Sequence, residues 1–174
     1  MRLHPLLCAV FFAALFATPV HAACIYNGKL DVRTTVRQEF NDSRWVVRAR
    51  VISAVDCWGE GACRDPDAPF TVYRLRVVHS YKGKLESPFR FFTERNSGGF
   101  YMDRAWVKLP QGHDIGGEYL LFLVPSIWSP SHRAARGTVF VNYPCGQSGP
   151  WPKVSKSARQ LLDRLAERDQ RASN

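Results

Sequence analysis

Histidine is scarce in this sequence, and the familiar catalytic motifs are missing. Of five histidines, the three that follow residue 22 are His79, His113 and His132, which lie far apart and in no metal-ligand spacing. There is no Gly-x-Ser-x-Gly turn, no Gly-x-x-x-x-Gly-Lys phosphate-binding loop and no His-Glu-x-x-His pair. We therefore expect no catalytic residue, no metal site and no cofactor.

The sequence also lacks a second long apolar run. Its longest one, Leu6 to Ala17, follows Arg2 and precedes Pro19 and a Val20-His21-Ala22 cleavage sequence. A run of this length is too short to span a membrane and is typical of a secretory signal peptide. We predict a signal peptide at residues 1–22, with Ala23 as the alternative cleavage position, no transmembrane segment in the mature chain, and a secreted or periplasmic location.

Acidic residues are too few to balance the basic ones. The chain has 24 Lys and Arg against 15 Asp and Glu, a net charge of +9; the loss of Arg2 with the signal peptide leaves +8. Such a charge attracts anionic glycans, lipid headgroups and acidic proteins. Because the charges are scattered, a merely solvated surface is the competing interpretation. Nucleic acid is not an expected partner of an exported protein.

Four cysteines remain once the segment containing Cys8 is removed: Cys24, Cys57, Cys63 and Cys145. An even number in an oxidising compartment predicts two disulfide bonds. The count alone leaves three possible pairings.

The remaining sequence predicts a β-rich domain followed by a helix. Aromatic residues make up 13% and Gly and Pro are frequent, which favours strands and turns. A short helix capped by Asp31 carries Val32, Val36 and Phe40 on one side. Alternating or continuous apolar residues predict five strands, at 45–55, 70–81, 89–93, 119–124 and 138–143.

Five strands with a long connector at residues 94–117 predict a mainly β fold, a five-stranded OB-type barrel with a short N-terminal helix. The barrel domain covers residues 23–153. Residues 154–168 form an amphipathic C-terminal helix whose mixed-charge outer face favours packing on the barrel over a membrane surface. Residues 169–174 are predicted to be a disordered tail.

Several segments resemble the netrin-like domains, the group that contains the tissue inhibitors of metalloproteinases (TIMPs). Residues 41–51 resemble their first strand. Residues 73–77, followed by Tyr-Lys-Gly at 81–83, resemble the second strand and its turn. Residues 117–122 resemble the fourth strand, and Cys145 matches a cysteine beyond the fifth.

This resemblance implies a pairing of Cys24 with Cys145, and hence of Cys57 with Cys63. Closing the longer loop would contribute on the order of 4 kcal/mol through the unfolded state. Inhibitors of the family chelate a catalytic zinc with the amine and carbonyl of the first cysteine of a Cys-x-Cys pair. Here a single cysteine, Cys24, follows Ala23, so we do not expect zinc chelation.

A binding rim remains, formed by residues 23–27, the 57–69 loop and the 94–117 connector. We predict an exported, disulfide-stabilised binding module that binds a protein, in the manner of a protease inhibitor or otherwise. A binder of anionic glycan or envelope lipid and an uncharacterised hydrolase are the alternatives. The candidate rim residues are Ala23, Cys24, Ile25, Tyr26, Trp58, Phe100 and Tyr101.

Overall fold

A computed structural model describes residues 24–59, 63–66, 68–95, 98–103, 112–128 and 130–173. The predicted signal peptide and Ala23 lie outside these residues. Within them, no helix is both long and apolar enough to cross a membrane.

The described chain contains eight strands, two helices and two short 3₁₀ turns. In chain order the helices and strands are β1 (Ile25–Tyr26), β2 (Lys29–Leu30), α1 (Val36–Asp42), β3 (Trp45–Cys57), β4 (Phe70–Lys82), β5 (Phe89–Glu94), β6 (Glu118–Pro125), β7 (Val139–Val141), β8 (Gly149–Pro150) and α2 (Lys156–Ser173).

Five of the strands close into a barrel. Their order is β3-β4-β5-β7-β6, and β6 pairs back with β3. All neighbours are antiparallel except β5 and β7, which run parallel. The predicted five-stranded barrel is confirmed, with each strand boundary shifted by no more than two residues from its predicted position.

The barrel interior is filled by the inward side chains of these strands. Val47, Ala49 and Val51 alternate along β3 and are almost fully buried, and they pack with Tyr73 and Leu75 of β4. Tyr73 can enter this apolar core because its hydroxyl group reaches Asp103 at one end of the barrel, 2.8 Å away.

Helix α2 covers one outer face of the barrel. Its Leu162 and Leu165 are buried with Phe40 of α1 and with Val46 and Phe122 of the barrel strands. Val46 therefore faces an outer apolar layer, which explains why β3 departs from simple alternation. The helix also includes residues 169–173, which the sequence predicts as a disordered tail; this stretch lacks Gly and Pro and is rich in good helix formers.

Helix α1 begins later than predicted. Its N-cap is Thr35, which forms a capping box with Gln38, so the prediction of an Asp31 cap is wrong. Asp31 has a positive φ of 48° and instead closes the β1–β2 hairpin: its amide donates to the carbonyl oxygen of Cys24 at 2.7 Å.

Candidate functional site

Two disulfide bonds fasten one end of the barrel. Cys24 bonds to Cys145, 121 positions away, and Cys57 bonds to Cys63, six positions away. Both pairings agree with those implied by the netrin-like resemblance. The first bond ties the start of the described chain to the segment just beyond β7.

The chain between Cys24 and Asp31 forms a rigid hairpin. Asn27 and Gly28 make its two-residue turn with positive φ values of 48° and 77°, as a type I′ turn requires. On one side of the hairpin Tyr26 is buried, lies 5.0 Å from the Tyr143 ring and donates a hydrogen bond to Asp42. The hairpin is thus anchored by a disulfide, an aromatic contact and a hydrogen bond.

The opposite side of the hairpin is apolar and exposed. Ile25 and Leu30 are directly paired across the two strands, so their side chains share a face, and they are 61% and 64% exposed. Ile25 borders a groove of about 240 Å³ whose other wall contains Ile127, 67% exposed, and Trp128. We call Ile25, Leu30, Ile127 and Trp128 the hairpin patch.

The segment that carries Ile127 is held against the barrel. Trp128 packs beside Phe92 and Phe70 on the outer face of the sheet. His132 Nε2 lies 3.1 Å from a carboxylate oxygen of Glu94, at the end of β5. Both walls of the groove are therefore fixed.

The structure places the predicted rim residues in different environments. Ile25 is exposed at the groove, which Cys24 also lines, although the Cys24 side chain is buried in its disulfide. Phe100 packs in the barrel core and is only 9% exposed, so it offers little surface to a partner. The rest are dispersed: Tyr26 is buried, Trp58 is 38% exposed but does not line the groove, Tyr101 donates to the Glu94 carbonyl, and Ala23 lies outside the described residues.

The groove wall made by Ile127 and Trp128 was not predicted from the sequence. These large apolar residues lie in a short loop between Pro125 and Pro130, where polar turn residues are the norm. Two large apolar residues in such a loop are the sequence feature that could have predicted an exposed apolar contact.

A buried charge network closes the same end of the barrel. The Arg95 side chain is only 3% exposed and contacts Asp103 at 2.7 Å. Arg95 also donates to Thr71 at 2.6 Å and to Tyr73 at 3.0 Å. Burial opposes ionisation of Asp103, but hydrogen bonds from Arg95 and Tyr73 outweigh it and hold the pKa of Asp103 below its usual range.

His113 extends this network to β3. Its Nδ1 lies 2.9 Å from Asp103 and its Nε2 lies 2.9 Å from Asp56. The imidazole ring is therefore held between two carboxylates. Each ring nitrogen has a carboxylate partner, so neither is left to activate a hydroxyl group. The adjacent Asp114 instead accepts from Tyr119 at 3.0 Å.

Comparison with known proteins does not assign a family. No protein-family model matches the chain, and no curated protein matches it. The netrin-like and TIMP-like relationship therefore stays a prediction. Across the described ranges, no group of three or more His, Cys, Asp or Glu side chains is arranged to hold a metal ion.

Proposed function

We propose that this protein is an exported, non-enzymatic module that binds another protein through the hairpin patch. The observation that carries the proposal is the exposed cross-strand pair Ile25 and Leu30, of which Ile25 lines a formed groove together with the exposed Ile127. Contiguous exposed apolar surface of this kind typically marks an interaction site. The two disulfides are consistent with export into an oxidising compartment.

A few apolar contacts at the hairpin patch would supply most of the binding free energy. Removing a large aliphatic side chain from water contributes roughly 1.5–3 kcal/mol. Ile25 and Ile127 at the groove, with Leu30 paired to Ile25, suffice for the kind of central contact that dominates many interfaces. The disulfide and the Tyr26 contacts hold the hairpin in place, so little conformational freedom is lost on binding.

The partner we propose is a protein that inserts an apolar side chain into the groove and surrounds it with acidic residues. Lys29 is exposed on the Tyr26 side of the hairpin and Arg33 is exposed next to it, and the whole chain carries a net charge of +9. These cations would steer an acidic partner and select its orientation more than they would add affinity.

Binding by the TIMP route of zinc chelation has no support at Cys24. The Cys24 amide donates to the Asp31 carboxylate at 3.3 Å, and its carbonyl oxygen accepts from the Asp31 amide at 2.7 Å. Both groups that would chelate zinc are therefore occupied within the hairpin. A protease partner remains compatible with the patch, through contacts that do not involve its metal.

The test is photo-crosslinking in the cells that export the protein. A benzophenone amino acid replaces Leu30 in the patch or, as the control, Val78, an exposed aliphatic residue on β4 that does not line the groove. We expect the Leu30 position to give a crosslinked species with a second protein, and Val78 to give none. Adding Ile127→Asp should remove the Leu30 product, because a charge would enter the groove wall.

Two results would overturn the proposal. One is a product with twice the mass of this chain, which would make the patch a self-association surface. The other is the same crosslinking yield at Leu30 with and without Ile127→Asp, provided that circular dichroism shows both proteins folded.

A further inference from the structure

A second groove lies at the opposite end of the barrel from the hairpin patch. Strands β5 and β7 run parallel; the patch groove is at their ends, whereas this groove is at their beginnings, beside Phe89 and Val139. Its volume is about 610 Å³, within the range of roughly 300–1,000 Å³ of typical small-molecule sites.

The floor of this groove is apolar. Leu85, Pro88, Phe89 and Pro125 contribute to it, together with Trp45. The Trp45 indole is fixed because its Nε1 donates to the Lys84 carbonyl oxygen at 3.2 Å. The groove is therefore a formed concavity that can take an apolar group.

Three cations surround this floor: Arg44, Lys84 and Arg90. Glu86 is the acidic residue among the lining side chains. Within the described residues none of the three cations forms an ion pair. Arg44 instead stacks over the Trp45 ring at 4.7 Å.

Other arginines of this barrel behave differently. Arg48 and Arg50 both pair with Glu118, and Arg95 pairs with Asp103. Arg90 is held by two backbone carbonyls, those of Ala134 at 3.0 Å and Arg136 at 3.4 Å. Because a carbonyl carries no net charge, Arg90 is positioned at the groove without being neutralised.

We propose that this groove binds a single anionic amphiphile. Its apolar chain would lie over Leu85, Pro88 and Phe89, and its carboxylate or phosphate group would contact Arg44, Lys84 and Arg90. The juxtaposition of unneutralised cations with an apolar floor fits both halves of such a ligand, whereas a neutral lipid would leave the cations unused. This site is separate from the hairpin patch and does not depend on the protein-binding proposal.

The test uses decyl phosphate below its micelle concentration, with the mature, oxidised protein and isothermal titration calorimetry. Decyl maltoside measures the binding of the alkyl chain without a charge, and inorganic phosphate measures the binding of the charge without an alkyl chain. We expect decyl phosphate to bind at least about tenfold more tightly than either, since only it satisfies both halves of the groove. Its affinity should also fall as salt is added.

Charge-matched variants locate the site. Arg44→Gln with Lys84→Gln should weaken decyl phosphate binding by about tenfold or more, because each cation forms a charge-assisted contact. Arg168→Gln with Arg164→Gln removes the same charge from the exposed face of α2 and should leave the affinity nearly unchanged. In an NMR titration the Trp45 indole N–H signal should shift with decyl phosphate.

Three outcomes would overturn the proposal: equal losses of affinity in the groove and α2 variants, tight binding of inorganic phosphate alone, or binding to phosphatidylglycerol vesicles with no binding of monomeric decyl phosphate. The last result would indicate a charged face that meets a membrane surface.

Discussion

The two ends of the barrel are stabilised in different ways. The end at Cys24, Cys57 and Arg95, which we call the stapled end, carries two disulfides and a buried charge network. The end at Trp45, Gly83 and Arg90, which we call the open end, depends on a tight turn, one indole hydrogen bond and apolar packing. The disulfides lie at the end that carries the exposed apolar patch. The cations of the open end have no ion-pair partner in the described parts of the chain; Arg90 is held there by backbone carbonyls and Arg44 by the Trp45 ring.

The two ends differ in which segments they connect to the barrel. At the stapled end the β1–β2 hairpin is a separate two-stranded sheet that does not join the barrel, so the Cys24–Cys145 disulfide takes the place of strand hydrogen bonds. At the open end β4 and β5 are joined by a short turn and need no such bonds. The stapled end should therefore show the larger losses of stability on mutation.

The largest expected loss comes from the long disulfide. Replacing Cys24 and Cys145 together by Ser should lower the free energy of unfolding by roughly 4–5 kcal/mol, because the bond closes a loop of 121 positions. The matched variant lacking Cys57 and Cys63 should lose only about 2 kcal/mol, since that loop spans six. Urea unfolding of both proteins measures the difference. Equal losses would mean that the bonds do not act through loop closure.

The second largest loss of stability is expected from mutation of the buried charge network. Arg95→Met removes the buried guanidinium that contacts Asp103 at 2.7 Å and Asp56 at 3.8 Å, which we expect to cost about 3 kcal/mol. The control is Arg50→Met, which removes one of two partners of Glu118 on an arginine side chain that is 47% exposed and should cost less than about 1 kcal/mol. Chemical denaturation compares them. If Arg95→Met costs no more than the control, the network does not stabilise this end.

At the open end the decisive residue is Gly83. Its φ is +65°, and a Cβ atom there would lie 2.7 Å from the Arg44 carbonyl oxygen. Gly83→Ala should therefore cost about 2 kcal/mol, combining left-handed strain with a backbone clash. Gly137 has nearly the same φ, +67°, with nothing within 4 Å of a Cβ, so Gly137→Ala measures the strain alone. Thermal unfolding should rank Gly83→Ala as clearly worse; equal costs would refute the close approach.

The barrel strands could be predicted from the sequence, whereas the contacts at the stapled end could not. Alternating apolar residues such as Val47 and Ala49 mark strands because the pleat repeats every two residues, so the barrel was predictable. The ion network was not, because Asp56 and His113 are 57 positions apart and become neighbours only in the folded chain. The hairpin patch likewise depends on how two separate loops meet, which no local pattern encodes.

The smallest expected effect is a change in the pH dependence of stability when Glu39 is replaced. Glu39 lies on α1, next to the segment that follows Cys145. Its side chain is fully buried; one carboxylate oxygen accepts from Thr34 and from the Gln147 amide, and the other has no hydrogen-bond partner among the described residues. Burial disfavours the charged form and raises the pKa of Glu39 above its usual value of 4.5.

The folded state therefore holds this proton more tightly than the unfolded chain. The stability that Glu39 contributes is fully present below pH 4.5 and is lost as the pH rises through the folded pKa. Glu39→Gln cannot ionise, so it should gain stability relative to the wild type as the pH increases over that window. Urea unfolding of both proteins from acidic to neutral pH measures the difference, in which all other titrating groups cancel. A difference that stays constant across this range would show that Glu39 ionises as readily in the folded protein as in water, and that this end of the barrel tolerates a buried charge without cost.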